Sequence, residues 1–250
     1  MIKKLIKNIL RKAGYKVSDT KYVLKQFLDP VDIIPLDFDH VLSKYLIENP
    51  KPDDKFHFIQ IGAFDGLQCD PLVGYLERFD WNGILLEPQP EPYRKLTERY
   101  SGRNRIVIRN AAIDRTNGKT VLYTVKGEGL PEWAKGMASF NKQNILKHDY
   151  MFPGLNDYIL ETKVDTITFQ QLFADYEVST LDLLQIDTEG FDAELLRMFP
   201  FSEIKPKLIH FESKHITKDD LEKVLDELIS FGYKVARDGE EDMIAVLYEK

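Results

Sequence analysis

The sequence predicts an α/β fold, a mostly parallel sheet with helices on both faces that is closed at its C-terminal end by an antiparallel β-hairpin. Three observations predict it. Apolar strand-like runs alternate with helical segments from Phe56 to Glu212, the order that builds a parallel sheet covered on both sides. The stretch FHFIQIGAFDGLQCDPL at 56–72 passes from an aromatic, β-branched strand through Gly62 and Gly66 toward a helix, as at the carboxyl edge of a sheet that holds a nucleotide-type ligand. The tail then runs through a helix, Gly232, YKVA, the turn pair Asp238-Gly239 and MIAVLY. That is a hairpin whose last strand lies antiparallel to its neighbour.

The elements follow in order. Phe56–Ile61 is the first strand, and Asp70-Pro71 reads as an N-cap with proline at the first helical position, opening a helix over 71–79. GILLE (83–87) is the second strand, followed by a helix near 91–100. RIVIRNAAI (105–113) reads as one strand. KTVLYTV (119–125) and DYILETKV (157–164) are extra strands around a polar segment. After a helix at 168–176 comes LDLLQID (181–187), and after a helix at 190–198 comes PKLIHFE (206–212). Thr217 with Asp220 forms a capping box for a helix that Gly232 ends.

A chain of 250 residues suits one large α/β domain. The expected division is an N-terminal helical segment over 1–50 and the domain over 51–250, joined by the polar, proline-bearing ENPKPDDK at 48–55. The net charge of −7 is uneven: residues 1–25 carry eight Lys or Arg against one acid, Asp19. That start is +7 and the remainder −14, a poor nucleic-acid binder. Residues 1–14 form an amphipathic pattern with two readings, a helix on an anionic membrane surface or one docked on its own domain. A single cysteine, Cys69, rules out an intrachain disulfide and points to a reducing compartment. No run is apolar enough for a membrane span, and lysines interrupt MIKKLIKNILRK as a signal peptide. The expected location is cytoplasmic, at the inner membrane surface if residues 1–14 bind lipid.

Polar groups gather at four strand ends. Gly62 and Gly66 permit a tight turn close to a ligand. Phe64 stands where a dinucleotide fingerprint has its second glycine, and Asp65 would repel a pyrophosphate, so the ligand reads as a nucleoside with a cationic end. Glu87, about twenty residues on, can accept both ribose hydroxyls. Asn110 is placed to meet an adenine edge. Asp187 and Glu189 stand at the fourth strand end, in IDTEGFD.

Taken together, IQIGAFDG, LLEPQPEPYRKL, NAAID, MASF, VDTIT and LLQIDTEGFDAELL, over roughly 56–212, resemble the FkbM-type methyltransferase family of class I, Rossmann-like S-adenosylmethionine enzymes. The resemblance implies S-adenosylmethionine as cofactor and O-methylation, commonly of sugars or polyketide-type natural products. It implies cofactor contacts from Gln60, Gly62, Ala63, Phe64, Asp65, Gly66, Glu87, Pro88, Asn110, Ala111, Ser139 and Asp187. One departure stands out: the family usually has an acid at the position of Gln60. An alcohol acceptor also needs a base or a metal. Base candidates are Asp187, Glu189, His210 and Glu212, with His215 behind them; Asp187, Glu189, Asp192 and Glu212 are candidate oxygen ligands for magnesium or calcium. His210 reads equally as a core histidine bonded to its neighbours. The glycine-bearing segment 126–140, with Trp133, is expected to close over the site, and 141–158 to line the acceptor side. The acceptor reads as a sugar or glycan precursor. The alternatives are a small natural product, or a cofactor-binding module without turnover.

Overall fold

The computed structural model describes residues 37–130, 134 and 136–248. Residues 1–36 of the expected N-terminal helical segment, the basic stretch 1–14 included, and Trp133 lie outside the described residues. Two sheets organise the chain. The central one contains β1 (His57–Ile61), β2 (Asn82–Leu86), β3 (Ile106–Arg109), β8 (Leu183–Ile186), β9 (Leu208–Glu212), β10 (Tyr233–Asp238) and β11 (Asp242–Leu247). Its spatial order is β10-β11-β9-β8-β1-β2-β3. Strands β3, β2, β1, β8 and β9 pair in parallel, while β11 runs antiparallel to both β9 and β10. The expected mostly parallel sheet with its C-terminal hairpin is the observed one.

Side-chain alternation along β1 divides the core. Ile59 and Ile61 face the cluster packed under α5 (Phe169–Asp175), α6 (Asp192–Met198) and α7 (Lys218–Ser230). Phe58 faces the opposite cluster, under α1 (Phe38–Glu48), α2 (Val73–Arg78) and α3 (Pro90–Arg99). Helix α1 is therefore part of the domain core: the Phe38 ring stacks on His210 at 4.2 Å, and the Tyr45 hydroxyl donates to Asp182 at 2.8 Å. Thr217 caps α7 by accepting from the Asp220 amide.

Three boundaries differ from expectation. Residues 105–113 form two strands: β3 ends at Arg109, and β4 (Ala112–Ile113) joins a second sheet of order β4-β7-β5-β6 with β5 (Gly118–Val125), β6 (Ala138–Ser139) and β7 (Ile159–Ile167). The break comes at Asn110, whose amide donates to the carbonyls of Glu87 and Pro88 and draws the chain off the sheet. Helix α2 begins at Val73, because the Asp70 carboxylate binds the Leu72 amide at 2.8 Å in a turn that precedes the helix. Strand β7 starts at Ile159, after a 3-10 turn over Leu155–Tyr158, and runs on to Ile167. A short helix, α4 (Lys142–Leu146), connects β6 to the turn that carries His148.

Candidate cofactor cleft and acceptor site

The carboxyl ends of β1, β2 and β8 open into one cleft of about 1160 Å³, its solvent-filled mouth included. Its floor depends on Gly62. The amides of Gly62 and Ala63 both donate to the Leu86 carbonyl at 3.0 Å. Gly62 has φ +83, and a Cβ there would lie 1.7 Å from the Asp187 carbonyl oxygen. Only glycine lets β1 pass β8 this closely. Phe64, in the place of a fingerprint glycine, adopts φ +47, a left-handed conformation that costs a non-glycine residue about 1 kcal/mol. It is held there because its amide donates to Glu87 Oε2 at 2.9 Å.

Glu87 is buried at the end of β2. Its other oxygen accepts from the Gln89 amide at 2.7 Å, and each oxygen keeps a further lone pair. Burial pushes its carboxyl up to about 7, against the pull of these two amides. Opposite it, Gln60 Nε2 donates to Asp70 Oδ1 at 3.1 Å. Gln60 Oε1 and Asp70 Oδ2 have no hydrogen-bond partner although both are buried in the cleft wall. Burial also raises the Asp70 carboxyl. Asp70 thus puts an acid beside Gln60, at the place where the resemblance leads one to expect a charge. The sequence presents Asp70 as a helix cap, so its second role was hidden.

Of the expected cofactor residues, Gln60, Gly62, Ala63, Phe64, Glu87, Pro88, Ala111 and Asp187 line the cleft. The other four are placed elsewhere. Asp65 accepts from the Leu67 and Gln68 amides and the Gln68 side chain, which shapes the loop from within. Gly66 (φ +69) admits Leu96 and Tyr100 of α3 and its flank. Asn110 holds the Glu87–Pro88 backbone. The Ser139 hydroxyl donates to the Glu189 carbonyl at 2.9 Å.

That last bond belongs to a clamp on the turn after β8. Glu189 (φ +53) and Gly190 (φ +102) are both left-handed. Asn144 also donates to the Glu189 carbonyl, at 3.2 Å, and a Cβ on Gly190 would lie 2.2 Å from the Asn144 amide nitrogen. Below the turn, buried Asp192 accepts from Thr188 Oγ1 at 2.9 Å and from the Gly190 amide, and burial pushes it up to about 6. The clamp leaves the Glu189 side chain on the cleft wall.

Asp187, Glu189, Asp192 and Glu212 crowd this end of the cleft. Asp187 opens to the cleft on one side and is enclosed by protein on the others; burial, then Asp192 and Glu189, raise its carboxyl. Glu212 is raised by burial first and by Asp187 and Glu189 next. The expected four-oxygen metal set does not assemble, because Asp192 is turned into its own turn. Among the described residues, the metal-ligating atoms that converge are those of His148, Glu189 and His215, all within 4.8 Å of one another. His210 is not on the cleft wall. Its Nδ1 lies 2.7 Å from Gln185 Oε1 and its Nε2 3.1 Å from Asp238 Oδ2, so the structure places it as a core histidine. Strand alternation turns it to the α1 face, where Phe38 covers it.

These buried carboxyls make a stability prediction. Glu87 and Asp192 hold protons in the fold at pH values where the unfolded chain, with carboxyls near ~4, has lost them. Their contribution is complete below that range and is lost as pH rises through about 6 to 7. The ligand-free melting temperature is expected to fall by several degrees between pH 5 and pH 8; a rising curve in calorimetry would contradict the assignment.

No helix among the described residues is long and apolar enough to cross a membrane. A search of curated proteins gives no match. Among solved structures, the chain is similar to methyltransferase FkbM from Methylobacillus flagellatus KT, at 14% identity and a TM-score of 0.46, over 81% of this chain and 50% of that one. The chain therefore spans about half the length of that protein. It is also similar to the N-terminal domain of human METTL16 in complex with SAH, at 11% identity and a TM-score of 0.43, over 99% of this chain and 82% of that one. The CurJ carbon methyltransferase aligns at 10% identity and a TM-score of 0.44, over 84% of this chain and 52% of that one. The family model of the methyltransferase FkbM domain matches residues 60–235, from the Gln60 end of β1 into β10; the chain belongs to the FkbM family of S-adenosylmethionine-dependent methyltransferases.

Proposed function

We propose that the chain methylates a hydroxyl oxygen, with a sugar or glycan precursor as the acceptor. The observation that carries the reading is the carboxylate–imidazole cluster at the β8–β9 end of the cofactor cleft. An amine needs no such group once it is neutral, whereas an alcohol must lose a proton as it attacks.

The cleft fits the cofactor. Glu87 would accept the two ribose hydroxyls with the lone pairs its amide partners leave. Gln60 Oε1 and Asp70 Oδ2 would receive the ammonium of the methionine end, which satisfies two otherwise orphaned atoms. Gly62 keeps the floor flat. Bound there, S-adenosylmethionine would supply an electrophilic sulfonium methyl group for in-line transfer to the acceptor oxygen, with S-adenosylhomocysteine as the leaving group. The acceptor proton goes to the Glu189 carboxylate, whose Oε2 lies 3.0 Å from His215 Nε2. Ser139 and Asn144 fix Glu189 through its backbone, so positioning is built in before the acceptor arrives.

Turnover on a panel of nucleotide-linked and lipid-linked sugars, polyketide alcohols and amines tests this, with the methylated atom located by mass spectrometry and NMR. Glu189→Gln is expected to lower kcat by about 100-fold or more and to keep S-adenosylhomocysteine affinity within about threefold. Methyl found on nitrogen or carbon, or an undiminished rate in Glu189→Gln, overturns the reading.

A further inference from the structure

The acceptor end contains a feature that proton transfer alone leaves unexplained. His148 is 7% exposed, and neither of its ring nitrogens has a hydrogen-bond partner. The His215 side chain is 4% exposed. Its Nε2 lies 3.0 Å from Glu189 Oε2 but points out of line with it, so no hydrogen bond forms. The two imidazoles meet edge to face, with ring centroids 5.5 Å apart. Glu212 Oε1 stands 3.9 Å from the same His215 nitrogen, and Glu212 Oε2 is buried without a partner. Buried polar atoms are normally satisfied. Here one ligand atom each of His148, Glu189 and His215, from three separate segments, lies within 4.8 Å of the other two, and the imidazole nitrogens at this point are left without hydrogen bonds. Ligands arranged around an ion have that disposition, whereas hydrogen-bonded pairs aim along the line between them.

We propose that His148, Glu189 and His215 bind a divalent transition-metal ion of the zinc, cobalt or manganese kind, with Glu212 beside it. Two imidazoles and a carboxylate select such metals over magnesium and calcium, which take oxygen ligands. Three protein ligands leave a position open, the pattern of catalytic rather than structural sites. Glu189 is also on the cofactor cleft wall, so the open position would face the acceptor. There the ion would bind the acceptor oxygen and acidify its hydroxyl, and the second oxygen of Glu189 would take the proton. That role rests on the methyl-transfer reading; the binding of the ion does not.

The experiment is calorimetric titration of untagged, chelator-stripped full-length protein with Zn2+, without cofactor, and a parallel Co2+ titration followed by its visible absorption. One ion per chain is expected, with a Kd of micromolar or tighter and no comparable binding of Mg2+ or Ca2+. His148→Ala and His215→Gln are each expected to weaken Zn2+ binding by about 30-fold or more, while S-adenosylhomocysteine affinity stays within about threefold, which shows an intact fold. Cys69 is the one cysteine of the chain and is exposed, so Cys69→Ala is titrated too and is expected to bind as the parent does. Absence of stoichiometric Zn2+ binding, binding that survives both histidine changes, or binding that follows Cys69 overturns the proposal. A protein that binds Zn2+ in this way but no S-adenosylhomocysteine would fail the methyl-transfer reading and leave the metal site standing.

Discussion

Replacing Glu87 by alanine is expected to weaken S-adenosylhomocysteine binding by at least about 100-fold while the protein still folds. The carboxylate ends β2 with one amide on each oxygen, Phe64 at 2.9 Å and Gln89 at 2.7 Å. It is therefore aimed before any ligand arrives. Hydrogen bonds to a charged group contribute about 1.5–3 kcal/mol each, and two of them to a ribose amount to about 100-fold or more in affinity. The Phe64 and Gln89 amides that the change exposes border the open cleft, where water can take the place of the carboxylate; the cost to folding is correspondingly limited. The same group gives a pH signature. Burial holds Glu87 up to about 7 in the free protein, and the ionised form accepts both hydroxyls. Affinity should rise with pH through about 7 and level off above it. Titrations at several pH values check this together with the variant; binding that is unchanged in Glu87→Ala refutes the ribose assignment.

Gly62→Ala is expected to be the more destructive change. An added Cβ would lie 1.7 Å from the Asp187 carbonyl oxygen and 2.9 Å from its carbon, at φ +83. The obstacle is backbone, at the meeting of two central parallel strands, and cannot swing aside as a side chain would. Relief requires β1 and β8 to part where both clusters of the core pack against them. The expected loss is about 4 kcal/mol or more, the range reserved for such backbone and packing conflicts. A folded remnant would have the cleft floor displaced and bind no cofactor. Gly74, inside α2 with nothing within 4 Å of an added Cβ, is the control: Gly74→Ala should be neutral or stabilising by up to about 1 kcal/mol. Denaturant unfolding of the two variants separates these outcomes, and a Gly62→Ala protein within about 1 kcal/mol of the parent would contradict the close approach.

The architecture was largely legible because its signals are local. Strand runs such as Ile59–Ile61 and Leu183–Ile186, the Thr217 cap and the Asp238-Gly239 turn each specify their element within a few residues. The split of 105–113 was not legible, since Ile108 and Ile113 are equally strand-like and the break depends on Asn110 reaching carbonyls of a different strand end. The cleft was legible where backbone geometry dictates the residue, as at Gly62 and Glu87. It was obscured where one residue type serves two purposes. Asp65 reads as a loop acid and Asp70 as a helix cap; the structure turns the first onto its own loop amides and sets the second beside Gln60 in the wall. His210 sits at the right strand end but on the wrong side of the pleat, one residue from a position facing the cleft's other core. His148 carried no local signal. Its place beside Glu189 and His215 comes from three segments meeting, and no spacing in the sequence records that.

The central claim is that the loop from Gly62 to Phe64, with Glu87 opposite, holds an adenosyl ligand. Calorimetric titration of the purified protein with S-adenosylhomocysteine, with NAD as the contrast, tests it most directly. One S-adenosylhomocysteine per chain and no NAD binding is the predicted result. A folded protein that takes up NAD, or neither ligand, would contradict it.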